Sequence, residues 1–278
     1  MASAMTQYIG AAVAYSLFDE VAPATVAWFR VLGGSIPLLA VSWKRWRPRS
    51  RWTGDEFIAA ATFGIATALM NLFFYLAIDR LPLGNGVAIE FIGPIAVAAA
   101  RTRTSRNALA LILAAGGVAV LAGLEISNEP LGLFFIFCAS AMWAAYIVIG
   151  SHVARLDRGV AGLGMSLAIG ALAIAPVGLP TSRPVWVSPA LLLTCLLIGV
   201  CSNAIGYSIE MHVMRQIPTR RFAILLALLP VVAGLVAFLI LGQQPSYFDL
   251  LGMTLILVGV IIQERDELPI TDIAPTTS

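Results

Sequence analysis

Residues 70–94 read MNLFFYLAIDRLPLGNGVAIEFIGP: one apolar run ends at Asp79-Arg80, Pro82 marks a turn, and a second apolar run begins at Leu83. Inside that second run stand one carboxylate, Glu90, and one proline, Pro94. A soluble amphipathic helix would return polar residues every three or four positions. Here they almost vanish over a span's length, the pattern of a chain that crosses hydrocarbon and turns back.

The same pattern fills the chain. Apolar runs bounded by charge, proline or glycine lie at about 2–18, 24–42, 56–78, 83–100, 107–124, 131–151, 160–180, 189–211, 219–241 and 246–262. Most are long enough to cross about 30 Å of hydrocarbon at 1.5 Å per residue. The first is the weak one, at about 25 Å, with Thr6 and Gln7 inside it. Composition agrees: of 278 residues, 59% are hydrophobic and 12% charged, with a mean hydropathy of +0.90. Ten spans use the chain almost completely, so no separate soluble domain fits. Cys138, Cys195 and Cys201 stand in apolar stretches with no CxxC pair and no histidine at ligand spacing, so they read as core residues, with no metal site and no cofactor. The N-terminal run lacks a basic start and a small-residue cleavage pattern, which reads it as part of the membrane domain.

Charge location sets the orientation. Connections after runs 2, 4, 6 and 8, with Arg265 in the tail, hold fourteen of the 17 Lys and Arg residues; the opposite connections hold only Arg80 and Arg183. By the positive-inside rule both termini face the cytoplasm. The Lys44–Trp52 stretch interleaves arginines with Trp43, Trp46 and Trp52. It reads as a cytoplasmic loop with interfacial tryptophans, and no nucleic-acid partner is expected.

An internal repeat is also legible. Pro82 and Pro218 are 136 residues apart, as are Pro94 and Pro230, and Ala2-Ser3-Ala4-Met5 recurs as Ala139-Ser140-Ala141-Met142 at an offset of 137. Half the chain holds five runs, and an odd number of crossings turns the second half upside down. The expected fold is therefore an all-α integral membrane protein of ten helices, arranged as two inverted five-helix repeats. The first repeat covers 1–130, the second 131–263, and 264–278 is a disordered cytoplasmic tail. Pro94 and Pro230 sit inside apolar runs, where proline removes a backbone hydrogen bond and kinks the helix. They are candidate hinges, with a purely structural bend as the alternative. The ladder Ala115, Ala119, Gly123 allows close helix approach, within one molecule or across a homodimer.

Three ionisable residues break the apolar runs: Arg30, Glu90 and Glu210. Each costs roughly 2.5–3.5 kcal/mol on insertion scales, so each needs a cavity or a partner. Counting from the outer ends places Arg30 about 9 Å and Glu90 about 10 Å deep. Asn71 reaches a similar depth, and Tyr75 follows at i+4 on the same helix face. These four form a candidate polar layer in the outer half. Gly86, Gly93 and Pro94 share the Glu90 face and leave space beside the carboxylate. Run 8 carries a second stripe, Gly199, Asn203, Tyr207 and Glu210, whose charge falls in the inner half, with snorkelling at the helix end as the alternative. A glutamate in a partly dry site can load and release protons, and a solute's ammonium competes for it. Arg30 would receive a solute's carboxylate, or pair with Glu90 as a gate.

With those residues in hand, the chain resembles the drug/metabolite transporter superfamily, its EamA-type proteins, and among them the threonine/homoserine exporter branch. The likeness rests on Met70–Leu76 with Leu81–Gly84, on Ala88–Pro94, on Trp143-Ala144-Ala145-Tyr146-Ile147, and on Tyr207–Met211 leading to Ile217–Arg220. It implies ten helices in two inverted repeats, a bacterial inner-membrane location, and export of small amino acids by proton antiport. The candidate substrate and proton site is Glu90, Arg30, Asn71, Tyr75, Trp143, Tyr146, Asn203, Tyr207 and Glu210. The expected partners are a small solute, protons and the lipid bilayer. The branch often shows a glutamate before the run 9 proline, where this chain has Leu229-Pro230, and that bears on substrate choice. Leu229 and the aromatic residues Phe74, Tyr75, Trp143 and Tyr146 support the alternative, an exporter of other metabolites or toxic cations. A membrane scaffold or enzyme is the remote alternative, and an enzyme is not expected, with no GxSxG, no HExxH, and only His152 and His212 near helix ends.

Overall fold

Caps and prolines decide where the helices begin. The computed structural model describes residues 2–43, 52–100, 104–125, 129–154, 159–216 and 229–264. Helix α3 (Gly54–Ile78) starts where the Glu56 amide donates to the Thr53 hydroxyl and the Thr53 amide donates to the Glu56 carboxylate. That reciprocal cap satisfies two donors the first turn would leave orphaned. Proline stands in the first turn of α2 (Pro23–Trp43), α7 (Pro130–Val153) and α10 (Pro189–Gly199), where its missing N–H costs nothing.

The remaining helices are α1 (Ala2–Tyr15), α4 (Leu83–Glu90), α5 (Ile92–Ala100), α6 (Ser105–Glu125), α8 (Gly159–Gly178), α9 (Arg183–Val187), α11 (Tyr207–Gln216), α12 (Leu229–Leu241) and α13 (Tyr247–Glu264). Every apolar run carries helix in its described part, and there is no strand among the described residues. Five stretches are long and apolar enough to cross a membrane: Pro23–Ser42, Gly54–Ile78, Pro130–Val153, Gly159–Gly178 and Pro189–Gln216. Shorter apolar helices cover Leu83–Val97, Ala108–Gly117, Val232–Leu241 and Tyr247–Gly259. The tail beyond Glu264 and Arg residues 45–51 lie outside the described residues.

Two runs are interrupted. Pro94 cannot donate to the Glu90 carbonyl four residues back, so α4 ends at Glu90, Phe91 caps it, and α5 resumes at Ile92. In run 8, a π-helical stretch, Val200–Gly206, joins α10 to α11. It lengthens the apolar segment to Gln216 and places Glu210 more than a turn inside its end. Pro230 is the second residue of the described α12, and residues 217–228 before it lie outside the described residues.

The polarity is inverted relative to a water-soluble globule. Leu172 and Leu239 are 74% and 68% exposed, while Arg30, Asn71, Glu90, Asn203 and Glu210 are buried. Outward apolar sides of this extent suit a lipid surround. In the interior, α2 lies along α8, α3 against both α7 and α8, and α6 along α13. Glycines set the closest crossings: a Cβ on Gly64 or Gly170 would run into the Ser166 or Gly64 carbonyl, and one on Gly199 into the Arg30 carbonyl and the Gly34 amide. In hydrocarbon, where apolar burial gives little, such backbone approach is a main source of helix association. The α6 face that meets α13 holds Ala110, Ala114 and Gly117, whereas Ala115 is exposed.

Candidate functional site

Seven of the nine candidate residues line one buried cavity of about 40 Å³: Arg30, Asn71, Glu90, Trp143, Tyr146, Tyr207 and Glu210. The other two, Tyr75 and Asn203, stand behind Arg30 as its partners. The guanidinium Nε donates to the Asn203 Oδ1 at 2.9 Å, and Nη1 donates to the Tyr75 hydroxyl at 2.9 Å. Its carbon also lies 5.2 Å from the centre of the Tyr75 ring. Neutral oxygens and a π face thus hold the cation at Nε and Nη1, and no carboxylate forms an ion pair with it among the described residues.

Glu90 is the opposite case. It is 6% exposed, lines the same cavity, and accepts no hydrogen bond and makes no ion pair among the described residues. The Arg30–Glu90 pair considered as a gate is therefore not formed in this arrangement. The break that follows Glu90 holds its side chain at the end of a short helix, with Phe91 packed edge-on against Trp143 at 5.7 Å.

Glu210 lines this same cavity, and α11 continues past it to Gln216, so it does not stand at the helix end. Its Oε2 accepts from the Tyr146 hydroxyl at 2.8 Å and its Oε1 from the Gln7 amide. Asn71 donates to the Thr67 carbonyl at 2.8 Å and to the Tyr207 hydroxyl at 3.0 Å, tying α3 to α11. Tyr207 in turn packs against Tyr146, with ring centres 5.5 Å apart.

The π stretch behind this wall has no counterpart in the sequence reading. π turns recur at functional sites, where the extra residue leaves backbone and side chains imperfectly paired. Here Ser202 Oγ and Asn203 Nδ2 are buried without a partner among the described residues. Also missed were Gln7, Tyr8, Ala11 and Met70, which complete the lining together with Phe74, one of the aromatic residues behind the alternative reading. A signal existed for Gln7: an uncharged polar side chain in an apolar run needs a partner for the same reason a charge does. Among the described residues no cluster of His, Cys, Asp or Glu could hold a metal ion.

The cavity has room for about three waters. What it offers chemically is one guanidinium, one bare carboxylate, one hydrogen-bonded carboxylate and several aromatic hydroxyls.

Comparison with known proteins gives this site a setting. The chain is similar to the threonine/homoserine exporter RhtA of Escherichia coli (strain K12), 32% identical over 254 residues covering 90% of this chain and 84% of that protein. Its namesake in Salmonella typhimurium (strain LT2) is 31% identical over 253 residues, with the same coverage. An uncharacterised transporter of Archaeoglobus fulgidus is 22% identical over 256 residues. A solved structure, described as the crystal structure of a protein, superposes with a TM-score of 0.67 at 20% identity and covers 94% of each chain, a likeness of fold. The model of the EamA-like transporter family matches residues 130–263. On the length and identity of these alignments, the chain belongs to the EamA-like transporter family, a family of multi-pass membrane proteins.

Proposed function

We propose that this protein exports small zwitterionic amino acids of the threonine and homoserine kind across a bacterial inner membrane, by proton antiport with alternating access. The observation that carries this reading is the separation of charge in one cavity. Arg30 and Glu90 both face it, they form no ion pair, and Glu90 has no other partner among the described residues. A bare carboxylate and a guanidinium with donors to spare are complementary to an ammonium and a carboxylate on one small solute. With no solute present, a proton neutralises Glu90 instead, and the exchange of ammonium for proton is the coupling step.

The proposed scaffold has two inverted repeats, 1–130 and 131–263, with both termini cytoplasmic. Several relations at half-chain spacing support it. Asn71 and Tyr207, 136 residues apart, hydrogen-bond to each other, as equivalent positions beside a two-fold axis do. Gly34 and Gly170 are also 136 apart, and each makes a close crossing, one with Gly199 and the other with Gly64. The α2–α8 and α6–α13 pairings are likewise each related to themselves by that offset. The breaks at Pro94 and in the π stretch are the proposed points of flexure.

The aromatic wall of Phe74, Trp143 and Tyr146 favours a second reading, export of a bulkier or cationic metabolite. Proteoliposomes decide between them. With an imposed pH gradient, labelled threonine is taken up, and unlabelled threonine and homoserine compete while organic cations do not. Competition by the cations alone would replace the first reading with the second, and flux indifferent to the gradient would remove the proton.

A further inference from the structure

Four buried tyrosines surround the cavity, and three have their hydroxyls engaged by protein. Tyr75 accepts from Arg30, Tyr146 donates to Glu210, and Tyr207 accepts from Asn71. Tyr8, on α1, is 7% exposed and lines the cavity, yet its hydroxyl has no hydrogen-bond partner among the described residues. It lies within electrostatic reach of Glu90, Arg30, Glu210 and Tyr207, so the unpaired phenol is placed among the groups assigned above to the solute's two charges. Ala11, three residues on along the same helix face, also lines the cavity and puts only a methyl group beside the ring.

We infer that Tyr8 reads the solute's side chain: its phenol hydrogen-bonds a side-chain hydroxyl while Glu90 holds the ammonium and Arg30 the carboxylate. A phenol both donates and accepts, as an alcohol does, so either partner can supply the proton. A buried polar group that pairs only with the right solute penalises an analogue lacking the hydroxyl, because the phenol then loses water without gaining a bond. The inference adds to the amino-acid reading proposed above, on which it rests, the residue that recognises the hydroxyl threonine and homoserine share.

The test uses counterflow of labelled threonine into proteoliposomes of the full chain, with unlabelled threonine and valine as competitors. Valine replaces the hydroxyl by a methyl group at nearly the same volume. Wild type is expected to favour threonine by about 10-fold. Tyr8→Phe brings the ratio near one by weakening threonine alone, and unchanged competition by valine reports a folded variant. A second variant, Ala11→Val, narrows the space beside the ring and weakens both solutes while keeping their ratio. Tyr8→Phe that weakens both alike, or that keeps the wild-type preference, overturns the inference. Wild-type protein indifferent to both competitors overturns the amino-acid reading itself, a failure visible before any variant is made.

Discussion

Glu90 and Glu210 are buried to nearly the same degree on the same cavity, yet their surroundings differ. Glu210 accepts one bond from α7 and one from α1, so its carboxylate ties together three elements that are far apart in sequence. Glu90 ends a broken helix and binds nothing among the described residues. Leaving a buried charge bare is costly, and a fold that hydrogen-bonds one carboxylate while leaving its neighbour open keeps the second for a ligand or a proton. On the proposed reading, this difference gives binding to Glu90 and wall-building to Glu210.

The largest effect falls where the comparison is sharpest. Glu90→Gln keeps the shape of the side chain and removes the charge proposed to receive the ammonium. Threonine uptake in proteoliposomes is expected to drop to background, while purified protein melts within a few degrees of wild type because no hydrogen bond or ion pair among the described residues is lost. Arg30→Gln should also stop uptake but lower the melting temperature, since Asn203 and Tyr75 lose their charged partner. Full activity in Glu90→Gln at equal abundance would erase the distinction between the two carboxylates.

Glu210→Ala comes next and acts the other way round. It strips acceptors from Tyr146 and Gln7 and leaves a void in the wall, so stability should fall by about 2–4 kcal/mol. Glu210→Gln keeps one oxygen to accept from the Gln7 amide and offers its NH2 to the Tyr146 hydroxyl, which can accept as well as donate, and is expected to recover most of that stability together with counterflow. A Glu210→Gln protein as dead as Glu90→Gln would put both carboxylates in direct contact with the solute.

Much of this comparison was visible in sequence, for a reason that also explains what was not. Arg30, Asn71, Glu90 and Tyr207 stood out because polar groups in hydrocarbon are expensive, so their presence alone announces a cavity. Their partners were harder. Tyr8 looks like an ordinary membrane aromatic until the fold shows it lining the cavity, and Tyr146 was named as a site residue without its bond to Glu210. That Glu210 shares a cavity with Glu90 was not legible, because counting at 1.5 Å per residue assumes one straight α-helix ending at 211. The π stretch and the continuation to Gln216 break that ruler. The π stretch itself leaves no periodic trace in seven residues, VCSNAIG. Pro94 did predict a break, because its missing N–H removes a bond whatever the surroundings.

The smallest effect probes how Glu210 shares its two donors. Tyr146→Phe deletes one hydroxyl and keeps the ring packed between Phe63 and Tyr207, whose ring centres lie 5.0 and 5.5 Å away. Gln7→Leu removes the other donor at similar volume. Each alone should cost about 1 kcal/mol in stability, the net worth of one hydrogen bond to a carboxylate that keeps its other donor. Together they leave Glu210 without either, so the double variant is expected to lose more than the two single losses combined. Thermal melting of all four proteins closes that cycle. Simple additivity would mean that water reaches Glu210 when a donor is removed, making it as open to the cavity as Glu90 and ending the contrast between them.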